Sequence, residues 1–265
     1  MDPPSAWWIS KKWTHLLFHS TLRDFGGIQL QTLGMPFKQA GKIAGIGIFE
    51  GRSTSEIMPL LVDAEEKSLE HREELYKAGD EAQSFAVVVQ GALKLVKSSP
   101  VGDDIIVFFA TPGVAVAALL MSKDPSFYPV SVIAMGPTVV LKIPRRTYTE
   151  VWLKDLAILQ KVNSMLFSRM SDWHEQKMLT KAPLSRKVAS QLVSLIERYG
   201  GDAGTILPIP ITRQEIADAV GATVESVIRV MSDWSQQGFI KTTGQQIEVL
   251  RMNKILEMLK GDAEA

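Results

Sequence analysis

Between residues 73 and 143 the chain alternates short apolar runs with polar breaks: "EELYKAG", "SFAVVVQG", "ALKLVKS", "DIIVFFAT", "YPVSVIA" and "TVVLKI". The runs are rich in Val, Ile and Phe, and Gly, Pro, Asp and Ser separate them at intervals of roughly ten residues, a spacing that predicts a small antiparallel roll or jelly roll. Ahead of them, Ser53 or Ser55 can cap a short helix carrying Ile57, Leu60 and Leu61. Inside the roll, "PGVAVAALLMS" breaks the strand rhythm and reads as one short apolar helix.

After Pro144 the period turns helical, with no Gly or Pro until Pro183. Read as heptads, Leu156, Asn163, Met170 and Lys177 share one seam position, and Leu159, Leu166 and Trp173 share the other. A buried Asn163 would cost stability and fix register and two-strandedness, so the pattern predicts a dimer seam. A second stripe, Val151, Ile158, Val162 and Met165, is free to pack on the roll; the plainer alternative is the core helix of a monomer.

From Pro183 the pattern reads helix ("PLSRKVASQLVSLIERYG"), connection ("GDAGTILPIP"), helix ("TRQEIADAV"), turn ("GAT"), helix ("VESVIRVMSDWSQQG"), hairpin ("FIKTTGQQIEVL") and closing helix ("NKILEMLKG"). Thr212 followed by Glu215 is a capping box, Gly221 sits at the tight turn and Thr223 caps the next helix. Two helices joined by a short Gly-containing turn and followed by a hairpin predict a winged helix-turn-helix.

The second helix of that unit carries the candidate chemistry. Val227, Val230, Met231 and Trp234 take the inward face, which leaves Val224, Glu225, Ser226, Ile228 and Arg229 at the exposed N-terminal end, the end that enters a major groove. Glu225 can accept from cytosine N4, and Arg229, one turn on, can grip guanine O6 and N7 together. The bland reading of the same pair is an i,i+4 salt bridge worth a few tenths of a kcal/mol.

Composition narrows the field. The 265 residues suit two modest domains, and 29 Lys and Arg balance 29 Asp and Glu. Nucleic-acid binding must therefore rest on a few placed side chains rather than on bulk charge. There is no cysteine, which excludes disulfides, thiolate zinc sites, a cysteine nucleophile and cysteine-held iron–sulfur clusters. No apolar run is long enough to span a bilayer, so no membrane partner and a cytoplasmic location are expected. No catalytic grouping or metal-ligand spacing stands out, and no enzyme activity, metal or cofactor is expected. Residues 1–47, with Trp7, Trp8, Trp13 and many glycines, show no sustained period. They read as a poorly ordered extension, in part sequence upstream of a start at Met35, or else as an aromatic-basic arm. The expected division is 1–47 extension, 48–144 roll, 145–181 dimerisation helix and 182–262 winged helix-turn-helix, an α+β chain.

"ITRQEIADAVGATVESVIRVMSDWSQQGFIKTTGQQIEV" resembles the C-terminal domain of the Crp/Fnr superfamily of bacterial regulators, and "ELYKAGDEAQSFAVVVQGALKLV" is similar to that family's opening roll hairpins. The resemblance spans roughly residues 48 to 260. It implies an effector-sensing roll, a homodimer, a winged helix that binds a palindromic operator on double-stranded DNA, and RNA polymerase as a partner. Glu225 and Arg229 match the family's base readers. Thr212, Arg213 and Gln214 match phosphate-contacting positions, Thr223 and Ser226 open the reading helix, and Thr243 and Gln245 fall at the wing tip. Val224 departs from the arginine of the cyclic AMP-responsive members and brings the chain nearer the oxygen-regulator branch. That implies half-sites with a TGA core in a TTGA-like setting rather than TGTGA; Ile228, where that branch has serine, leaves the outer bases unassigned.

The resemblance also implies a phosphate-binding "GE" pair and an "RS" or "RT" pair about ten residues later. Aligned on "SVIA", this chain has Ala117-Ala118 and Tyr128-Pro129 there. A buried phosphate without its arginine is costly, so cyclic nucleotide binding of the usual kind is not expected unless Lys123 or Arg145 substitutes. What remains is an apolar pocket walled by "VAVAALLM" and "IIVFFA", holding a hydrophobic ligand or, more simply, filled as core. His15, His19, His71 and His174 read as lone surface histidines rather than haem ligands. The alternatives to a regulator without cyclic AMP control are a regulator that answers a ligand through a rewired pocket, and an interaction module that no longer reads DNA.

Overall fold

The protein is described by a computed structural model covering residues 37–98, 104–199, 206–207 and 209–260. The expected extension falls mostly outside the described residues, as do His15 and His19. Its last part does not behave as a leader. A short helix α1 (Ala40–Ile43) and the turns after it bury Ile43, Ile48 and Phe49 in the same core as the roll. The boundary expected at 48 is therefore misplaced: the glycines at 41, 45 and 47 hide a packed segment by disrupting its periodicity.

Helix α2 (Thr54–Ile57) opens on a capping box between Ser53 and Glu56 and runs into a 3-10 turn, Met58–Leu61. Ile57, Leu60 and Leu61 are buried. The roll consists of two four-stranded antiparallel sheets. In chain order the strands are β1 (Glu65–Leu69), β2 (Glu74–Tyr76), β3 (Ser84–Gln90), β4 (Leu93–Ser98), β5 (Asp104–Ala110), β6 (Ala115–Val116), β7 (Ser131–Ala134) and β8 (Thr138–Pro144). One sheet runs β1-β8-β3-β6 and the other β2-β7-β4-β5. Strand β3 is buried from Ser84 to Val89, which explains its unbroken apolar run. Strand β1, "EEKSL", escaped the sequence pattern because it is an edge strand with a mostly open polar face. At the β3–β4 turn, Gly91 takes φ +80°, and a Cβ there would lie 2.5 Å from the Pro137 carbonyl oxygen. Only glycine closes this hairpin without displacing backbone.

"PGVAVAALLMS" is not one helix. Ala115 and Val116 pair with β3, Ala117 turns the chain at φ +67°, and Ala118–Ser122 form a 3-10 turn. Nor is the stretch after Pro144 continuous. It divides into α3 (Arg145–Glu150), a 3-10 turn (Trp152–Lys154) and α4 (Leu156–Met178). The break has two causes. Trp152 is drawn fully into the roll core, where its indole N–H donates to the Leu60 carbonyl at 2.8 Å and its ring meets Phe85 edge-on at 4.7 Å. Asp155 then acts as N-cap, its Oδ1 accepting from Ile158 N at 3.0 Å.

The second stripe packs as expected: Ile158 and Val162 are buried in the roll core, with Val151 and Met165 against it. Of the expected heptad seam, Leu156, Asn163, Met170, Trp173 and Lys177 are exposed, and two members turn toward the roll. Leu159 is half-buried against the roll core, and Leu166 lines a cavity in the roll. The exposed apolar run of α4 comprises Leu156, Phe167, Met170, Trp173 and Met178, with Asn163 also exposed.

The C-terminal domain contains α5 (Leu184–Tyr199), α6 (Arg213–Val220), α7 (Val224–Gln236), β9 (Ile240–Thr243), β10 (Gln246–Val249) and α8 (Met252–Lys260). The connection before α6 runs beside the hairpin, with Leu207 N donating to Ile247 O and Ile211 N to Gln245 O. The core joins Val188, Leu192, Ile216, Val227, Trp234, Ile247 and Ile255. It continues into the roll through Ala92, Val96, Ile106, Phe109 and Met135. No helix among the described residues is long and apolar enough to cross a membrane.

Candidate nucleic-acid interface

Three caps build the helix-turn-helix. Thr212 Oγ1 accepts from Glu215 N at 3.1 Å, and Glu215 Oε2 accepts from Thr212 N at 2.9 Å, closing the expected capping box at the start of α6. Gly221 ends that helix at φ +65°, the left-handed conformation a helix-ending turn asks of glycine. Thr223 opens α7, accepting from Ser226 N and donating to Ser226 Oγ.

The caps fix which side of α7 is free. Val227, Met231 and Trp234 are buried and Val230 is half-buried. Glu225, Ile228 and Arg229 are exposed, and Ser226 is partly so. Val224 differs from expectation: it is half-buried against the domain core, because the first turn of the helix tilts it inward. Among the described residues no ion pair joins Glu225 to Arg229. The bland reading of the pair is thus not realised, and both groups remain open to an outside partner.

Around this helix, Arg213 donates to Thr242 Oγ1 at 2.9 Å, tying α6 to the wing. Burial holds its guanidinium below the ordinary arginine range. Gln214 is exposed and donates to Asp218 Oδ1 at 2.7 Å. Burial, first, raises the Asp218 carboxyl above its ordinary value, against the Gln214 hydrogen bond and the nearby Lys94 charge. At the wing tip Thr243 and Gln245 are exposed on either side of Gly244, whose φ of +61° suits the first loop position of a two-residue hairpin.

In the roll, Ala117, Ala118, Tyr128 and Pro129 all line one cavity of about 170 Å³, beneath α4. Its other walls include Leu95, Val130, Val132, Val162 and Leu166. The only charged lining residue is Arg169 of α4, whose guanidinium lies 3.9 Å from the Phe108 ring centroid. Nothing in the sequence distinguishes Arg169 from the other charges of that helix. The preference for a filled core is overturned by this cavity, and "IIVFFA" walls a neighbouring hollow instead. Neither proposed substitute reaches the cavity. Lys123 is exposed, and Arg145 is spent on the Ala82 and Lys123 carbonyls and on Ser126 Oγ. Tyr128 stacks on Tyr76 with centroids 4.3 Å apart and donates to Ser84 O. His71 and His174 are exposed, His71 with its Nδ1 2.8 Å from Met135 O.

A capped helix-turn-helix with a wing, joined through a long helix to an antiparallel roll, defines a two-domain DNA-binding regulator of the winged-helix class. A family model described as the Crp-like helix-turn-helix domain matches residues 186–258, and one described as the cyclic nucleotide-binding domain matches residues 66–155. The chain is 29% identical over 202 residues to the transcriptional activator protein Anr of Pseudomonas aeruginosa, covering 75% of this chain and 82% of that one. It is 27% identical over 191 residues to the transcriptional activator protein FnrA of Stutzerimonas stutzeri, covering 69% and 76%. Its fold matches FixK2 from Bradyrhizobium japonicum with a TM-score of 0.65 and 23% identity, covering 76% of this chain and 98% of that one. The chain belongs to the Crp/Fnr superfamily and is a DNA-binding transcription regulator of that type.

Proposed function

We propose that this regulator binds, as a homodimer, a two-fold symmetric operator with TGA-type half-sites, and that cyclic AMP does not control it in the usual way. The observation carrying the DNA reading is the exposed, mutually unpaired Glu225 and Arg229 one turn apart at the capped end of α7. A bidentate arginine on guanine supplies roughly 1–3 kcal/mol of discrimination. Thr212, Arg213, Gln214, Thr243 and Gln245 flank them as backbone contacts, which orient without reading sequence.

Dimerisation is supported by α4. Leu156, Phe167, Trp173 and Met170 are 70%, 67%, 59% and 50% exposed, an apolar run that a second copy of the helix would cover. Two such copies would hold their reading helices about one DNA turn, roughly 34 Å, apart. RNA polymerase is the partner through which such a regulator would act, and the cytoplasm is where it would act.

Loss of cyclic AMP control is supported by Ala117, Ala118, Tyr128 and Pro129, none of which carries a charge to neutralise a phosphate. One observation favours a second reading, regulation by another ligand: the apolar cavity these residues line. The primary test is anisotropy with inverted TTGA-type half-sites. Wild type should bind tightly and lose affinity steeply with salt, while Arg229→Ala should lose preference at the guanine and keep non-specific binding. Unchanged preference would overturn the assignment. For the loss of cyclic AMP control, calorimetry with cyclic AMP and cyclic GMP should give no heat, and heat with either would overturn it.

A further inference from the structure

Strand β4 is a wall with two occupied sides. Alternation along the strand sends Leu93 and Leu95 into the roll core and Ala92 and Val96 into the core shared with the DNA-binding domain. Lys94 lies on the second side. Its ammonium donates to Glu215 Oε1 at 2.9 Å, with the Lys94 and Glu215 side chains only 19% and 8% exposed. The other oxygen of the same carboxylate, Oε2, accepts from Thr212 N and Thr212 Oγ1, both at 2.9 Å. One buried carboxylate thus serves two masters: it closes the cap of α6 and ties that cap to the roll.

A buried ion pair is weak evidence for stability, since desolvation offsets most of the attraction; its better-attested use is to select one arrangement among several. That use fits here. The apolar contact of Ala92, Val96, Ile106 and Phe109 with the DNA-binding domain is non-directional and would tolerate a range of dockings. The carboxylate accepts only one. Helix α6 in turn carries α7 through the tight Gly221 turn and a common core containing Ile216, Val227 and Met231. Any change in the seat of Glu215 therefore moves the reading helix relative to α4.

We infer that Lys94 is a positioning residue for DNA recognition: through Glu215 it fixes the reading helix against the roll and so sets the half-site spacing that the dimer accepts. This rests on the dimeric, operator-reading function proposed above.

The test uses the purified full chain, with Lys94→Met to remove the charge at similar length and Lys94→Arg as the conservative rescue. Affinities are measured for inverted half-sites at the best spacing and one base pair shorter and longer. Wild type and Lys94→Arg should favour the best spacing by about tenfold, and Lys94→Met by no more than about threefold, with binding to a single half-site unchanged. A purely structural role would weaken all sites alike and leave the spacing ratio intact, and that result overturns the inference. Amide hydrogen exchange of the DNA-free protein gives an independent reading. Residues 213–220 should exchange faster in Lys94→Met while Leu60 and Leu61, buried in the roll core and not in the core shared with the DNA-binding domain, do not change. Equal exchange at 213–220 overturns the inference too. Should wild type ignore symmetric sites altogether, the dimeric reading falls and the exchange result alone decides whether Lys94 seats α6.

Discussion

The exposed N-terminal end of α7 and the cavity of the roll have opposite characters. The first presents a carboxylate and a guanidinium, exposed and unpaired with each other, on a helix held by three caps. The second is walled by Ala, Val, Leu, Tyr and Pro, with Arg169 its single charge. Polar groups aimed outward discriminate among hydrogen-bonding partners because an unmatched partner leaves them unpaired. An apolar cavity rejects charged partners for the same reason and discriminates weakly among apolar ones. On the reading proposed above, the chain would read DNA with the first region while the second lacks the acid and arginine pairs that the family resemblance implies for a cyclic phosphate, having Ala117, Ala118, Tyr128 and Pro129 in their place. The two regions meet on β4, where Lys94 and Leu95, adjacent in sequence, face the DNA-binding domain and the cavity respectively.

The largest expected effect breaks the comparison on the roll side. Trp152→Ala removes a fully buried ring and its hydrogen bond to Leu60, and should cost about 3–5 kcal/mol in denaturant unfolding. Next is the reader. Arg229→Ala should lose about 1–3 kcal/mol of discrimination at one base, read as an affinity ratio between matched and substituted operators, with no change in thermal midpoint. Thr223→Ala removes the cap of α7 and should cost about 1 kcal/mol of stability, together with faster exchange in the first turn of that helix.

The smallest effect is at acid pH. The hydrogen bond from Arg52, 2.6 Å away, is the main cause holding the Asp155 carboxyl below its ordinary value. A depressed carboxylate stabilises the folded state fully above the ordinary value near pH 4, and this contribution fades as pH falls through the folded value. Arg52→Met should therefore lower stability by under about 1 kcal/mol at neutral pH. The gap from wild type should close in unfolding measurements taken at progressively lower pH.

Sequence alone reached the helix-turn-helix almost element by element, because its signals are local: the Thr212–Glu215 box, Gly221 and Thr223 each announce themselves within a few residues. The roll strands were equally legible where both neighbours are strands, as for β3 and β4. What escaped was decided at a distance. The break at Asp155 depends on Trp152 reaching Leu60, and the burial of Ile43 and Phe49 depends on a roll that follows later in the chain. Periodicity left Leu156, Met170 and Trp173 on the exposed face of α4, but only the position of the roll shows that Leu159 and Leu166 turn toward it while Phe167 does not. For the site, Glu225 and Arg229 were legible as a pair; that they are not bonded to each other was not. Arg169 gave no sequence signal, since its place at the cavity is set by the packing of α4 on the roll.

The central claim is that the reader is intact while the cyclic nucleotide switch is gone. Selection from random DNA with the purified full chain, run with and without cyclic AMP and cyclic GMP, tests both halves together. The account predicts enrichment of one inverted repeat with TGA-type half-sites, equally strong in every arm. Failure to enrich a symmetric site, or enrichment only when a cyclic nucleotide is present, would contradict it.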